Sequence, residues 1–172
     1  NEQNQIAQIL DTLHALILQR KQQFEKLDLL VKARFVEMFG DAVSNSKHWH
    51  TETLSAVCKA IYGGGTPSKS HSEYFEGIIP WVSPKDMKSA IILDSIDHIT
   101  EEAVRNSTTK MVPIGAVLMV IRSGILKHTL PVAIAAVELT VNQDMKAFVV
   151  GDNITSEFLM YYFKAIEANV LS

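Results

Sequence analysis

Two short runs repeat one spacing of an acid and a base. Asp86-Met87-Lys88 and Asp144-Met145-Lys146 each set a carboxylate two residues before an ammonium group. An Asp-x-Lys pair serves metal-dependent nucleases when a further acid stands upstream in register. Two three-residue matches in a chain of 172 residues can arise by chance. A nuclease built on Asp86 and Lys88 is therefore a minor alternative. His48 and His50 flank Trp49, but a zinc site needs further His or Cys ligands, and the lone Cys58 supplies no pair. The chain has no Gly-x-Ser-x-Gly elbow and no Asn-Pro-Pro-aromatic run of amino-methyltransferases. It reads as non-catalytic, with no metal site and no cofactor of its own.

The run "YGGGTPSKS", residues 62 to 70, raises the question of phosphate binding. A Walker loop ends in Gly-Lys-Ser/Thr and opens a helix. Here no Gly precedes Lys69, and "SHSEYFEG" is a poor helix. A dinucleotide fingerprint needs a strand–turn–helix context, with an acid about 20 residues on. Neither pattern fits. A structural turn and a loop on a binding face remain. In the second case the glycines let backbone NH groups approach a ligand, and Thr66, Ser68, Lys69 and Ser70 offer short donors and one cation. Such groups contact phosphate oxygens in DNA complexes.

Other cations also stand beside turn-forming residues. Lys85 and Lys88 follow "WVSP", Arg122 precedes Ser123-Gly124, and Lys127-His128 come soon after. Asn142, Gln143 and Lys146 cluster before an apolar run. Arg and Lys can read guanine edges, and Asn and Gln adenine edges. The candidate DNA-contacting set is Thr66, Ser68, Lys69, Lys85, Lys88, Arg122, Lys127, His128, Gln143 and Lys146. A solvated surface is the plain alternative for each, and Glu73, Glu76, Asp94, Asp97, Glu101 and Glu102 share the segment.

These residues need a scaffold. The chain is 47% hydrophobic with a net charge of −3, so it folds and is not a generally basic nucleic-acid binder. One cysteine fits a reducing cytoplasm, and no apolar run approaches the ~20 residues of a membrane span. The first ten residues lack a basic region followed by an apolar one, so no secretory signal is expected. Residues 3 to about 40 predict one long helix. Spacings of three and four link Ile6, Leu10, Leu13, Ile17, Phe24, Leu27, Val31 and Met38, with Arg20 and Arg34 interrupting the series. Gly40 is placed to end it. A rod of roughly 55 Å at 1.5 Å per residue exceeds what a small core needs. Its stripe asks for a partner helix or subunit. The polar run 41–52 marks a domain boundary. Beyond it, "GIIPWVS", "AIILDSIDHIT", "GAVLMVIRSG", "LPVAIAAVELTV" and "KAFVV" predict strands. Thr100 is the cap of a helical turn at "EEAVRNS", and Thr155 or Ser156 caps a last helix. The fold class is α+β: a long coiled-coil-type helix, then a mixed α/β domain.

"GGGTPSKSHSEYFEGIIPWVSPKDMK" resembles the opening signature of the target-recognition domain in type I restriction–modification specificity subunits. "GAVLMVIRSG" and "VNQDMKAFVV" resemble later segments of that domain. "EQNQIAQILDTL" and "LVKARFVEMFGD" resemble the start and end of the family's spacer helix. The resemblance covers nearly the whole chain, with five motifs in order.

The resemblance implies a non-catalytic subunit that reads one half of a split double-stranded DNA target. It implies a spacer helix over residues 1–40 that docks the methyltransferase (M) subunit, and a target-recognition domain over 41–172. The restriction (R) subunit would join through the complex. S-adenosylmethionine, ATP and Mg would be held by those partner subunits. The family alternates two recognition domains with two helical regions, so one of each is expected to be a half subunit or fragment, incomplete at its C-terminal end. A homodimer through the helix is a further expectation. By the same resemblance, the glycine run makes room for DNA backbone or contacts it. A coiled-coil interaction module without a DNA role is the alternative reading.

Overall fold

The computed structural model describes residues 2–172. It has a long N-terminal helix followed by a mixed-sheet α/β domain. Helix α1 runs over Glu2–Phe39 without a Gly or Pro to interrupt it. Gly40 ends it with φ 84°, a left-handed conformation that costs glycine little, and its N–H donates to the Val36 carbonyl at 2.7 Å. The last carbonyls of a helix lack intrahelical partners. Here Lys47 Nζ donates to the Glu37 and Met38 carbonyls, both at 2.9 Å, and Trp49 Nε1 donates to that of Phe39 at 2.8 Å. The polar run after the helix is thus an ordered cap. The Asp41 carboxylate accepts the Ser44 and Val43 N–H groups, which hold its pKa below the ordinary range.

Helix α2 (Leu54–Val57) leads into eight strands: β1 (Cys58–Gly63), β2 (Ile79–Val82), β3 (Ile91–Ile92), β4 (His98–Ile99), β5 (Val117–Val120), β6 (Val132–Ala135), β7 (Thr140–Val141) and β8 (Met145–Val150). Helix α3 (Glu101–Arg105) lies between β4 and β5 and is capped by Thr100, whose Oγ1 accepts the Ala103 N–H at 3.1 Å. Thr155 likewise caps α4 (Ser156–Ala165), accepting the Phe158 N–H at 3.1 Å. A short α5 (Glu167–Val170) follows. Strand β1 lies in a segment for which sequence periodicity predicts none. As an outer strand it leaves Ile61 exposed, so its apolar pattern is broken.

Five strands form one sheet in the order β1-β8-β5-β6-β3, and three form another in the order β4-β2-β7. Strand β5 shows why its sequence is almost wholly apolar: both its faces are covered. Leu118 and Val120 point into a core shared with Val82, Val141 and Met145. Val117 points the other way, onto Phe148, Leu159 and Phe163 beneath α4. A smaller core of Tyr74, Trp81, Ile99 and Ala103 backs the second sheet.

Helix α1 packs on this domain near its end. Phe35 and Phe39 pack on Phe158 of α4, with ring centroids 5.7 and 5.2 Å away. Lys32 pairs with Glu167. Ile6, Leu10, Leu13, Ile17, Phe24, Leu27, Val31 and Met38 are all exposed, Phe24 by 67%. No helix among the described residues is long and apolar enough to cross a membrane.

Candidate nucleic-acid interface

The glycine run is built into the core. Gly64 and Gly65 donate their N–H groups to the carbonyls of Met145 (3.3 Å) and Val141 (3.0 Å). These amides are taken, so they cannot cradle a phosphate. The Gly65 carbonyl accepts from Trp81 Nε1 at 3.0 Å, and Pro67 is buried. The run closes β1 against the turn after β7, and its polar sequel, Thr66 onward, reaches the surface.

Strand directions decide where the other candidates emerge. β1 and β8 pair antiparallel, with Gly63 opposite Lys146. β5 and β8 are also antiparallel, with Val120 opposite Met145. β2 and β7 are parallel, with Val82 beside Val141. The ends of β1, β2, β5 and β7 and the start of β8 therefore share one end of the domain. Thr66, Lys85, Arg122, Gln143 and Lys146 stand there. β6 pairs antiparallel with β5 and parallel with β3, so the connection carrying Lys127 and His128, and Lys88 ahead of β3, open at the same end. Ser68 and Lys69 continue in exposed chain toward a 3-10 turn at Ser72–Phe75, and strand register places neither beside Arg122.

Within this end the polar groups are organised around the turn Asn142–Asp144. The Asp144 N–H donates to Asn142 Oδ1 at 3.0 Å, and Asn142 N donates to the Val82 carbonyl at 2.9 Å. Arg122 Nε donates to Asp144 Oδ1 at 2.7 Å. Thr66 Oγ1 donates to Gln143 Oε1. Asp144 and Asn142 lie outside the candidate set read from the sequence; the signal available was the clustering of Asn142, Gln143 and Asp144 between two strands. Lys85 pairs with Asp97 at 2.5 Å, and that contact keeps its ammonium above the ordinary lysine range. Lys69, Lys88, Lys127 and Lys146 are exposed and make no ion pair among the described residues.

Both aspartates of the acid–base repeats hold turns. Asp86 Oδ2 accepts from the Ser83 N–H and hydroxyl, each at 2.8 Å, and its Oδ1 accepts the Ile96 N–H at 3.0 Å. Asp144 is committed as described. No three His, Cys, Asp or Glu side chains among the described residues gather where they could hold a metal ion. Burial pushes the Cys58 thiol above its ordinary range, away from nucleophilic use.

A mixed-sheet domain with a long helical arm and a polar, cation-bearing end fits a nucleic-acid-reading module. Residues 46–172 match the type I restriction modification DNA specificity domain, and the chain belongs to that family. It is similar to the specificity subunit of the type I restriction enzyme EcoR124I/EcoR124II of Escherichia coli, with 37% identity over 172 residues. That match covers 98% of this chain and 41% of the relative, so the chain spans about two-fifths of that protein's length. It is 35% identical over 121 residues to the type I restriction enzyme MjaIX specificity subunit of Methanocaldococcus jannaschii, covering 69% of this chain and 27% of that one. Two solved structures share the fold. The HsdS subunit from Thermoanaerobacter tengcongensis superposes with a TM-score of 0.54 at 14% identity, over 90% of this chain and 39% of its own. A chain from a structure of type I R-M complex assembly and conformational transition gives 0.53 at 16%, over 96% and 42%.

Proposed function

We propose that residues 41–172 read one half of a bipartite double-stranded DNA target, and that residues 1–40 form the spacer helix that docks the methyltransferase subunit. The observation that carries this reading is the shared strand end. A domain of the DNA-specificity family opens Thr66, Lys85, Lys88, Arg122, Lys127, His128, Gln143 and Lys146 on one side. The chain supplies recognition, and catalysis belongs to its partners. S-adenosylmethionine, ATP and Mg are assigned to the methyltransferase and restriction subunits of a cytoplasmic complex. The exposed stripe of α1 favours a helix partner, and a second copy of the chain pairing along it is the second reading.

The test is a methylation map. The complete gene is co-expressed with the methyltransferase subunit encoded beside it, and modified adenines are located across the genome. A split, gapped target that vanishes without this chain is the expected result. A stable complex that modifies nothing would leave docking without recognition and overturn the reading function.

A further inference from the structure

We infer that Asp144 is a positioning residue that holds Arg122 and Gln143 as a paired purine reader, Arg122 facing a guanine and Gln143 an adenine. This rests on the proposed DNA-reading function. Arg122 is fixed twice. Its side chain donates through Nε to Asp144 Oδ1 at 2.7 Å, and its main-chain N–H donates to the Asp144 carbonyl at 3.2 Å. The side chain is nevertheless 69% exposed, while that of Asp144 is 24% exposed. With Nε engaged, the end left for a ligand is the Nη1/Nη2 fork. Two parallel N–H groups of that kind match O6 and N7 of guanine.

Gln143 is held at both ends of its amide. Its Oε1 accepts from Thr66, and its Nε2 donates to Asp144 Oδ2 at 3.4 Å. A side-chain amide has two N–H groups and two lone pairs. One of each remains free, and that pair is what N7 and N6 of adenine require. The two side chains meet on one carboxylate whose turn is tied to the core through Asn142. An exposed ion pair alone adds little stability. What this one supplies is orientation: two long side chains are ordered before DNA arrives, so less freedom is lost on binding.

The test uses the complex of the full chain with its methyltransferase subunit and a pool of DNA randomised across the half-site. Arg122→Lys and Arg122→Ala should each lose about tenfold discrimination at one guanine. Gln143→Ala should lose a similar factor at one adenine. Asp144→Asn should lower both preferences, and should add nothing at the guanine when combined with Arg122→Ala. Affinity for non-specific DNA and the thermal midpoint should stay near the parent values, which a purely structural role for Asp144 would not permit. Unchanged preferences in the Arg122 and Gln143 variants overturn the inference while the wild type still selects its site. An even loss at every position in Asp144→Asn overturns the positioning role. A wild-type complex with no preference at all overturns the proposed function, and this inference with it.

Discussion

Gly64 shows how much one hydrogen atom can decide. A Cβ at that position would lie 1.6 Å from the Asn142 carbonyl oxygen, which is main chain and cannot move aside cheaply. At Gly63, one residue earlier, a Cβ would meet nothing within 4 Å. Gly64→Ala should therefore cost about 2 kcal/mol or more in urea denaturation, and Gly63→Ala should stay within about 0.5 kcal/mol of the parent. Equal effects at the two sites would mean that the glycine run is needed for flexibility and not for close approach. The sequence marks this stretch as a loop. It does not tell one glycine from the next, because the clash partner lies nearly 80 residues away in the chain. The two Asp-x-Lys repeats carry the same lesson: their aspartates read as possible metal ligands, yet Asp86 accepts main-chain N–H groups that fix a turn and Asp144 accepts from the side chains of Arg122, Asn142 and Gln143.

At the scale of elements, the joint between α1 and the domain is small and has a charged clasp. Burial raises the pKa of the Glu167 carboxyl, but Lys32, the Leu130 N–H and the Thr129 hydroxyl together outweigh it and leave the group below its ordinary value of 4.5. A carboxyl lowered in the folded state contributes stability that is fully present above the unfolded pKa and lost as pH falls through the folded one. The joint should hold at neutral pH and loosen as pH falls below the ordinary carboxyl value of 4.5 and through the lowered folded one. Glu167→Gln should cost about 1 kcal/mol at neutral pH and show a smaller further loss on acidification than the parent. Thermal melts at neutral pH and at about pH 3 check this, and identical acid sensitivity in the two proteins would remove Glu167 from the account. Periodicity alone shows α1, and composition shows most of the strands. Neither reveals this clasp, whose partners lie 135 residues apart.

At the scale of the whole molecule, the apolar stripe of α1 faces solvent over most of its length. In a lone chain that is costly, so a partner helix is expected to cover it. Phe24→Glu should abolish co-purification with the methyltransferase subunit or with a second copy of the chain, while the melting of the α/β domain stays within about a degree or two. Unaltered assembly would show that the stripe is not the docking face. With a net charge of −3, any DNA contact would have to come from a local patch and not from overall charge.

The sequence by itself determined the two-part plan. A period of three and four over nearly forty residues, broken only by Arg20 and Arg34 and by no Gly or Pro before Gly40, makes a long helix, and alternating or continuous apolar runs between turn residues make sheets. It also determined the family resemblance, because ordered motifs survive without knowledge of contacts. The tertiary structure decided which cations share a side, since that depends on strand order and direction. Parallel pairing of β2 with β7, and antiparallel pairing of β5 with β8, turn residues scattered from Thr66 to Lys146 toward one end. It also decided that Asp144 is the hub. A carboxylate's role is set by the donors that reach it: Asn142 and Gln143 reach Asp144 from its own turn, but Arg122 lies 22 residues away and only folding brings it within hydrogen-bond distance.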